Sequence, residues 1–237
     1  MEIKVIYQDK HLLVAEKPSG ISVFPEGEEK GKTFIDDLVE SFPELKEVGE
    51  WPRYGIVHRL DKETSGVILI AKNSRTLAFL QEQFQNGEVT KEYIALCTGN
   101  LSEKKGTIET FMARSPKDRR KQKAHPLYDL KIKGIARKAV TDYEALQKIG
   151  NYTLIKAIPR TGRKHQIRCH MAYLHHPIAG DGLYGFRDHI PPEGLKRQFL
   201  HAERLTVRMP DGEMRSFYSE LPDDLKKILD NLQKNDH

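Results

Sequence analysis

His58-Arg59-Leu60-Asp61-Lys62-Glu63-Thr64-Ser65-Gly66 runs directly into Val67-Ile68-Leu69-Ile70-Ala71. The second part is an uninterrupted apolar run of strand length, the pattern of a strand buried on both faces. The first part is a polar turn that sets a histidine, an arginine and a carboxylate side by side. A functional carboxylate on a loop anchored by a rigid strand is a common arrangement. So is a turn aspartate that accepts local backbone N–H bonds, and spacing alone leaves both readings of Asp61 open.

Upstream, residues 5–7 and 12–16 read as short strands closed by the breaker Lys17-Pro18-Ser19-Gly20. A polar Gly/Glu-rich loop follows, then a helix over 33–41 with Pro43 just beyond it. Downstream of the apolar strand, Ser74 fits an N-cap, Leu77, Leu80 and Phe84 share a helical face, and Gly87 ends the helix. Residues 90–98 alternate like a strand, with Tyr93, Ala95 and Cys97 on one face. A long connection leads to two strands, 139–148 and 151–158, joined at Gly150. A helix is expected over 164–175 with Ile167, Met171 and Leu174 on its apolar face, then a flexible loop marked by Gly180, Gly182 and Gly185. Strands 205–209 and 213–218 flank the hairpin signal Pro210-Asp211-Gly212. The last helix has Pro222 near its first turn and a stripe of Leu225, Ile228, Leu229 and Leu232. With no repeat and no linker, the pattern predicts an α+β fold built on a mixed, mostly antiparallel sheet.

The 237 residues carry 39 Lys and Arg against 34 Asp and Glu, a net charge of +5. Residues 114–123 hold six basic side chains and one acid, so the whole chain's excess is matched in one stretch. Two cysteines give neither a disulfide framework nor a metal spacing. His165, His170 and His175 recur every fifth residue, about 140° apart on a helix, and share no face for a metal. Neither a signal-peptide profile nor a membrane-length apolar run is present, so a soluble cytoplasmic protein is expected. Ser102-Glu103-Lys104-Lys105 fits the S-x-x-K pattern of penicillin-binding hydrolases, but the serine lies in a polar turn and no S-D-N element accompanies it.

Arg160-Thr161-Gly162-Arg163-Lys164-His165-Gln166-Ile167-Arg168 is the second cluster. A turn into a helix start gathers backbone N–H groups and cations, a setting suited to phosphate. Arg163, His165, Gln166 and Arg168 are candidate anion or RNA contacts, and Lys164 reads as a solvated helix residue. Tyr93 has small neighbours on its strand face and room beside it, although strand tyrosines usually pack. In the basic stretch, Arg114, Lys117, Arg119, Arg120, Lys121 and Lys123 form a candidate phosphate-binding arm, weighed against a solvated loop.

Taken in order, Lys17-Pro18-Ser19-Gly20, the stretch from His58 to Gly66, Lys91-Glu92-Tyr93-Ile94-Ala95, the stretch from Thr161 to His170, Pro177-Ile178-Ala179-Gly180-Asp181 with Tyr184-Gly185, and Leu200-His201-Ala202 resemble the pseudouridine synthases. The branch is the one that modifies large-subunit ribosomal RNA and some transfer RNAs. The resemblance implies a central mixed sheet with flanking helices, as a single catalytic domain over 1–237 whose two lobes face an RNA cleft. Many relatives add an N-terminal RNA-binding domain of the S4 type, for which no room is expected ahead of Lys17. It also implies Asp61 as the essential carboxylate, Arg168 as its ion-pair partner 107 residues away, and Tyr93 stacked on the target uracil. Arg59 is expected to help replace the flipped base, and His58 to be structural or to touch RNA. Neither cofactor nor metal is implied. The expected partner is an rRNA or tRNA stem-loop, bound by a monomer. The competing reading is an inactive RNA-binding or chaperone module of the same fold.

Overall fold

The computed structural model of the chain describes residues 1–25, 31–129, 132 and 135–235. The polar Gly/Glu-rich stretch near residue 28 lies largely outside them. Two compact units are present, Met1–Lys91 with Ala202–Glu220, and Glu92–His201 with Leu221–His237.

The first unit is built on strands β1 (Lys4–Gln8), β2 (Leu12–Lys17) and β3 (Ser65–Ala71), with most of β9 (Leu200–Arg208) and all of β10 (Met214–Tyr218). β1 pairs with β2, β2 with β3, and β10 with β9, all antiparallel. Every residue of β3 is buried, as its unbroken apolar run requires. Full burial of each Val, Ile or Leu there contributes roughly 1.5–3 kcal/mol. Helix α1 (Phe34–Ser41) starts where the Asp36 carboxylate accepts the Thr33 N–H at 2.8 Å, and a 3-10 helix, Pro43–Glu47, follows. Helix α2 (Ser74–Asn86) is capped by Asn73 rather than by Ser74: the Asn73 side chain accepts the Thr76 N–H at 2.9 Å. Gly87 ends it in the left-handed conformation, φ 74°. Leu77 and Leu80 of α2 join Leu12, Val14, Val67, Leu69, Leu205, Val207 and Phe217 in one core.

The second unit holds β4 (Thr90–Thr98, from Glu92 on), β5 (Lys105–Arg114), β6 (Gln122–His125), β7 (Arg137–Ile149) and β8 (Tyr152–Pro159). Their order is β4-β8-β7-β5-β6 with antiparallel neighbours. The fold class is therefore α+β with a mostly antiparallel sheet, as the pattern predicts. The expected long connection after residue 98 contains the β5–β6 hairpin, with the basic stretch at its tip. Helix α3 (Gln166–Tyr173) is shorter than expected, because His165 takes the left-handed conformation, φ 55°, directly before it. Helix α4 (Asp223–Asn235) packs Leu225 and Ile228 into a core with Ile94, Leu96, Ile155, Met171 and Phe199. Among the described residues, no helix is long and apolar enough to cross a membrane.

Candidate active site

Asp61 sits, half-buried, on a turn closed by the Thr64 N–H donating to the Asp61 carbonyl at 3.0 Å. That turn is held from three sides within the first unit. Lys17 is fully buried, and its ammonium donates to the carbonyls of Pro18 at 2.7 Å, Ile21 at 2.8 Å and Lys62 at 3.1 Å. The Gly20 N–H donates to the same Lys62 carbonyl at 2.9 Å. On the exit side, Gly66 has φ +127°, and a Cβ placed there would lie 2.2 Å from the Ala202 carbonyl oxygen. Only glycine combines that backbone conformation with so close an approach.

On the entry side, residues 55–58 run beside β3. The Ala71 N–H donates to the Gly55 carbonyl at 2.8 Å, and the Leu69 N–H donates to Nε2 of His58 at 3.0 Å. The imidazole thus stands in for a backbone carbonyl in the ladder, and its ring stacks on Phe84 at 5.0 Å. Burial, with the charge of Lys91 added, pushes the His58 pKa down to about 3, so the ring stays neutral and keeps its acceptor. Arg59 is exposed, with its guanidinium 5.4 Å from the centre of the Phe24 ring. Desolvation lowers the Arg59 pKa, and the neighbouring charge of Asp61 acts against that.

In the second unit, Gln166 organises the turn ahead of α3. Its Oε1 accepts the Thr161 hydroxyl at 2.7 Å and the Arg163 N–H at 2.9 Å; its Nε2 donates to the Val140 carbonyl and the Thr141 hydroxyl, both at 2.9 Å. Gln166 is 4% exposed and all four capacities of its amide are filled. The expectation of an RNA contact at Gln166 is corrected on that ground. His165 lies beside Tyr184, Nδ1 to hydroxyl at 3.2 Å.

Arg168 is buried, 8% exposed, and grips Asp181 with two bonds, Nε to Oδ2 at 2.7 Å and Nη2 to Oδ1 at 2.9 Å. Asp181 Oδ1 also accepts the N–H groups of Leu183 at 2.9 Å and Tyr184 at 3.0 Å. Burial raises the Asp181 pKa, but Arg168 and those amides outweigh it, and the carboxyl ends below its usual range. The Tyr184 ring faces the Arg168 guanidinium at 5.2 Å, and its hydroxyl accepts the Gln122 N–H at 2.6 Å. The glycine-marked loop is thus an ordered cradle for Arg168. Tyr93 sits half-buried on β4, opposite Ala157 of β8.

Of the basic stretch, Arg114 ends β5, Lys123 lies on β6 opposite Ala113, and Ser115 N–H to Lys121 carbonyl at 2.9 Å closes the tip. Arg120 is spent on Asp118, Nε to Oδ1 at 3.0 Å and Nη2 to Oδ2 at 2.8 Å. That bond above all draws the Asp118 pKa down to about 2. Lys121 lies 6.0 Å from the centre of the Tyr184 ring, and Lys117 and Arg119 are exposed.

Residues 11–173 match the family model of RNA pseudouridylate synthases. The chain belongs to the RNA pseudouridylate synthase family. These enzymes are isomerases that convert uridine in RNA to pseudouridine. A ribosomal large subunit pseudouridine synthase D from Borreliella burgdorferi is 38% identical over 99% of this chain and 70% of its own length. An uncharacterized RNA pseudouridine synthase of Bacillus subtilis, YlyB, is 36% identical over 99% of this chain and 74% of its own. The solved structure of human RNA pseudouridylate synthase domain containing 4 superposes with a TM-score of 0.78 at 26% identity. It covers 97% of this chain and 93% of that one. The architecture is accordingly the pseudouridine synthase fold.

Sequence spacing missed two residues that this synthase uses structurally. Lys17 closes a strand, where a lysine ordinarily marks a solvated end, and one of its three carbonyl partners, Lys62, comes from a turn distant in sequence. Asp181 hides between Gly180 and Gly182 in a segment that composition marks as loose. A lone acid in a stretch otherwise made of glycines and apolar residues was the available signal for it.

Proposed function

We propose that this synthase isomerises uridine in ribosomal RNA, acting as a cytoplasmic monomer on a stem-loop, with Asp61 as the essential carboxylate. The observation that carries this reading is the family match over 11–173, which spans Asp61, Tyr93 and Arg168 together. The names of the relatives support the choice of ribosomal over transfer RNA. In the reaction the N1–C1′ bond breaks and a C5–C1′ bond forms. C5 gives up its proton and N1 gains one, so substrate and product are isomers and no redox partner enters.

Each residue has a stated task. The target uridine leaves its stack before reaction, as enzymes acting on a base require. Arg59 fills the space it leaves. Tyr93 stacks on the uracil. Asp61 serves as nucleophile at C6 of the base or C1′ of the ribose, or as the ribose-side carboxylate of a glycal route in which Tyr93 removes a 2′ proton. Arg168 is assigned as the partner cation of that carboxylate.

Tritium release from 5-tritiated uridine in transcribed large-subunit ribosomal RNA tests the proposal. Wild-type protein should release tritium and Asp61→Asn should bind the RNA without releasing any. Residual turnover of Asp61→Asn within about tenfold of wild type removes Asp61 from its role. Binding without any release by the wild type favours an inactive RNA-binding module.

A further inference from the structure

Register fixes which side chains share a face of the β5–β6–β7 ladder. Arg137 lies opposite Met112, and Gln122 lies opposite Arg114. Met112 and Arg114 are two residues apart on β5 and point the same way. These four side chains therefore stand on one face. The 160–164 turn meets that face, where Nε of Arg163 donates to the Lys138 carbonyl at 3.1 Å. Together they line an open cavity of about 310 Å³ bordered by Met112, Arg114, Gln122, Ile135, Arg137, Arg163 and Lys164, with Ala113 and Gly162 also at its wall. Four of those residues are cations and none is an acid.

The opposite face of the ladder is balanced differently. There Lys138 pairs with Glu109, and Arg160 pairs with Asp142 at 2.5 Å. Among the described residues, no carboxylate pairs with Arg114, Arg137 or Arg163. Gathering like charges without counter-charge costs free energy unless a ligand supplies it. Planar guanidinium groups match phosphate oxygens two at a time. Ile135, 79% exposed, offers apolar surface to a sugar beside the phosphate. Small-ligand sites begin at roughly 300 Å³, so the cavity has room for a phosphodiester and part of its ribose.

We propose that this cavity is a phosphate site, holding one backbone phosphodiester of the substrate RNA through Arg114, Arg137, Arg163 and Lys164. The inference rests on the reading of the chain as an RNA-modifying enzyme. It assigns a role to Arg137, which the sequence motifs did not single out, and turns Lys164 from a solvated residue into a ligand contact.

The test compares wild type, the double variant Arg114→Gln/Arg137→Gln and the control Lys226→Gln/Lys227→Gln, whose two lysines are exposed on α4. Transcribed large-subunit ribosomal RNA is the probe, and an unfolding curve verifies that each variant is folded. Loss of the single phosphate contact that these cations share should lower the slope of log binding constant against log salt by about 0.7–0.9. KM for the RNA should rise on the order of tenfold, with the loss in kcat/KM residing in KM. The control should match wild type. A folded double variant with wild-type KM and salt slope overturns the phosphate site. If the wild type binds this RNA but forms no pseudouridine, the enzymatic reading fails separately, and the salt slope alone decides the phosphate site.

Discussion

Arg168 and Asp181 form a bidentate ion pair in which both side chains are buried, and Asp181 simultaneously accepts two backbone N–H groups of its own loop. The carboxylate therefore ties α3 to the 181–184 turn. Removing one partner of such a pair typically costs about 3–5 kcal/mol, since the other stays buried with its charge. Asp181→Ala should lose about that much in denaturant unfolding. It should also lose activity, because the guanidinium proposed to face Asp61 is no longer oriented. A loss under about 1 kcal/mol, the scale of a surface pair, would show that other contacts hold Arg168.

Gly66 makes a sharper steric prediction. Its φ of +127° excludes ordinary side chains, and an added Cβ would meet the Ala202 carbonyl oxygen at 2.2 Å and the Ala202 nitrogen at 2.7 Å. Both atoms are backbone and neither can swing away. Gly66→Ala should destabilise by about 2–4 kcal/mol and displace the turn that carries Asp61. Calorimetric unfolding measures the first effect and tritium release the second. Wild-type values in both would mean that β9 yields more readily than a paired strand should.

What could be read from sequence follows from how local each cause is. β3 was legible because burial on both faces demands an unbroken apolar run. α2 was legible too, within one residue at its cap, since Asn73 and Ser74 are both good caps. The β5–β6 hairpin was hidden. Thr110 occupies an inward position on β5, where alternation leads one to expect an apolar residue, and it fits because its hydroxyl bonds His170 at 2.9 Å in the interior. The basic residues after Arg114 further disguised a turn as a loop. Gln166 reads in the sequence as an anion or RNA contact for the same kind of reason: its four partners are distant in sequence or set by a turn. Asp61, Tyr93 and Arg168 were named from ordered motifs, whereas Asp181 and Lys17 act through contacts that only the folded chain brings together.

Two histidines predict an acid response. Burial, with Lys91 adding to it, depresses the pKa of His58 to about 3, and burial depresses that of His170 to about 4, both from an ordinary value of 6.5. Above pH 6.5 each is neutral in folded and unfolded chains alike, and neither contributes a slope. Below it the unfolded chain takes up protons that the folded one refuses, so stability falls. Each histidine contributes about 1.4 kcal/mol per pH unit until the folded pKa is reached. Asp181, whose pKa is depressed, adds its own loss only as pH falls through the carboxylate range below that window. His58→Gln keeps an acceptor for the Leu69 N–H without a titrating group. Its unfolding free energy should therefore decline less steeply than wild type between pH 6.5 and 4. Parallel curves would remove His58 from the account.

Lys17 lets stability and catalysis be separated. Its ammonium supplies a donor to the carbonyls of Pro18, Ile21 and Lys62, and the last of these belongs to the turn carrying Asp61. Lys17→Met keeps most of the side-chain volume and removes that donor. The Lys62 carbonyl retains the Gly20 N–H, while the other two lose the lysine. Acceptors left unsatisfied cost about 1–3 kcal/mol each when buried, and these two are half-buried, so a loss of at most about 2–6 kcal/mol is expected. The variant should fold at low temperature with the turn less tightly held. Under those conditions kcat should drop more than about tenfold, while KM for RNA stays near wild type, because a misplaced reacting group lowers the chemical step and leaves the phosphate contacts alone. If kcat holds and only the unfolding midpoint moves, Lys17 is a stabilising residue with no part in placing Asp61.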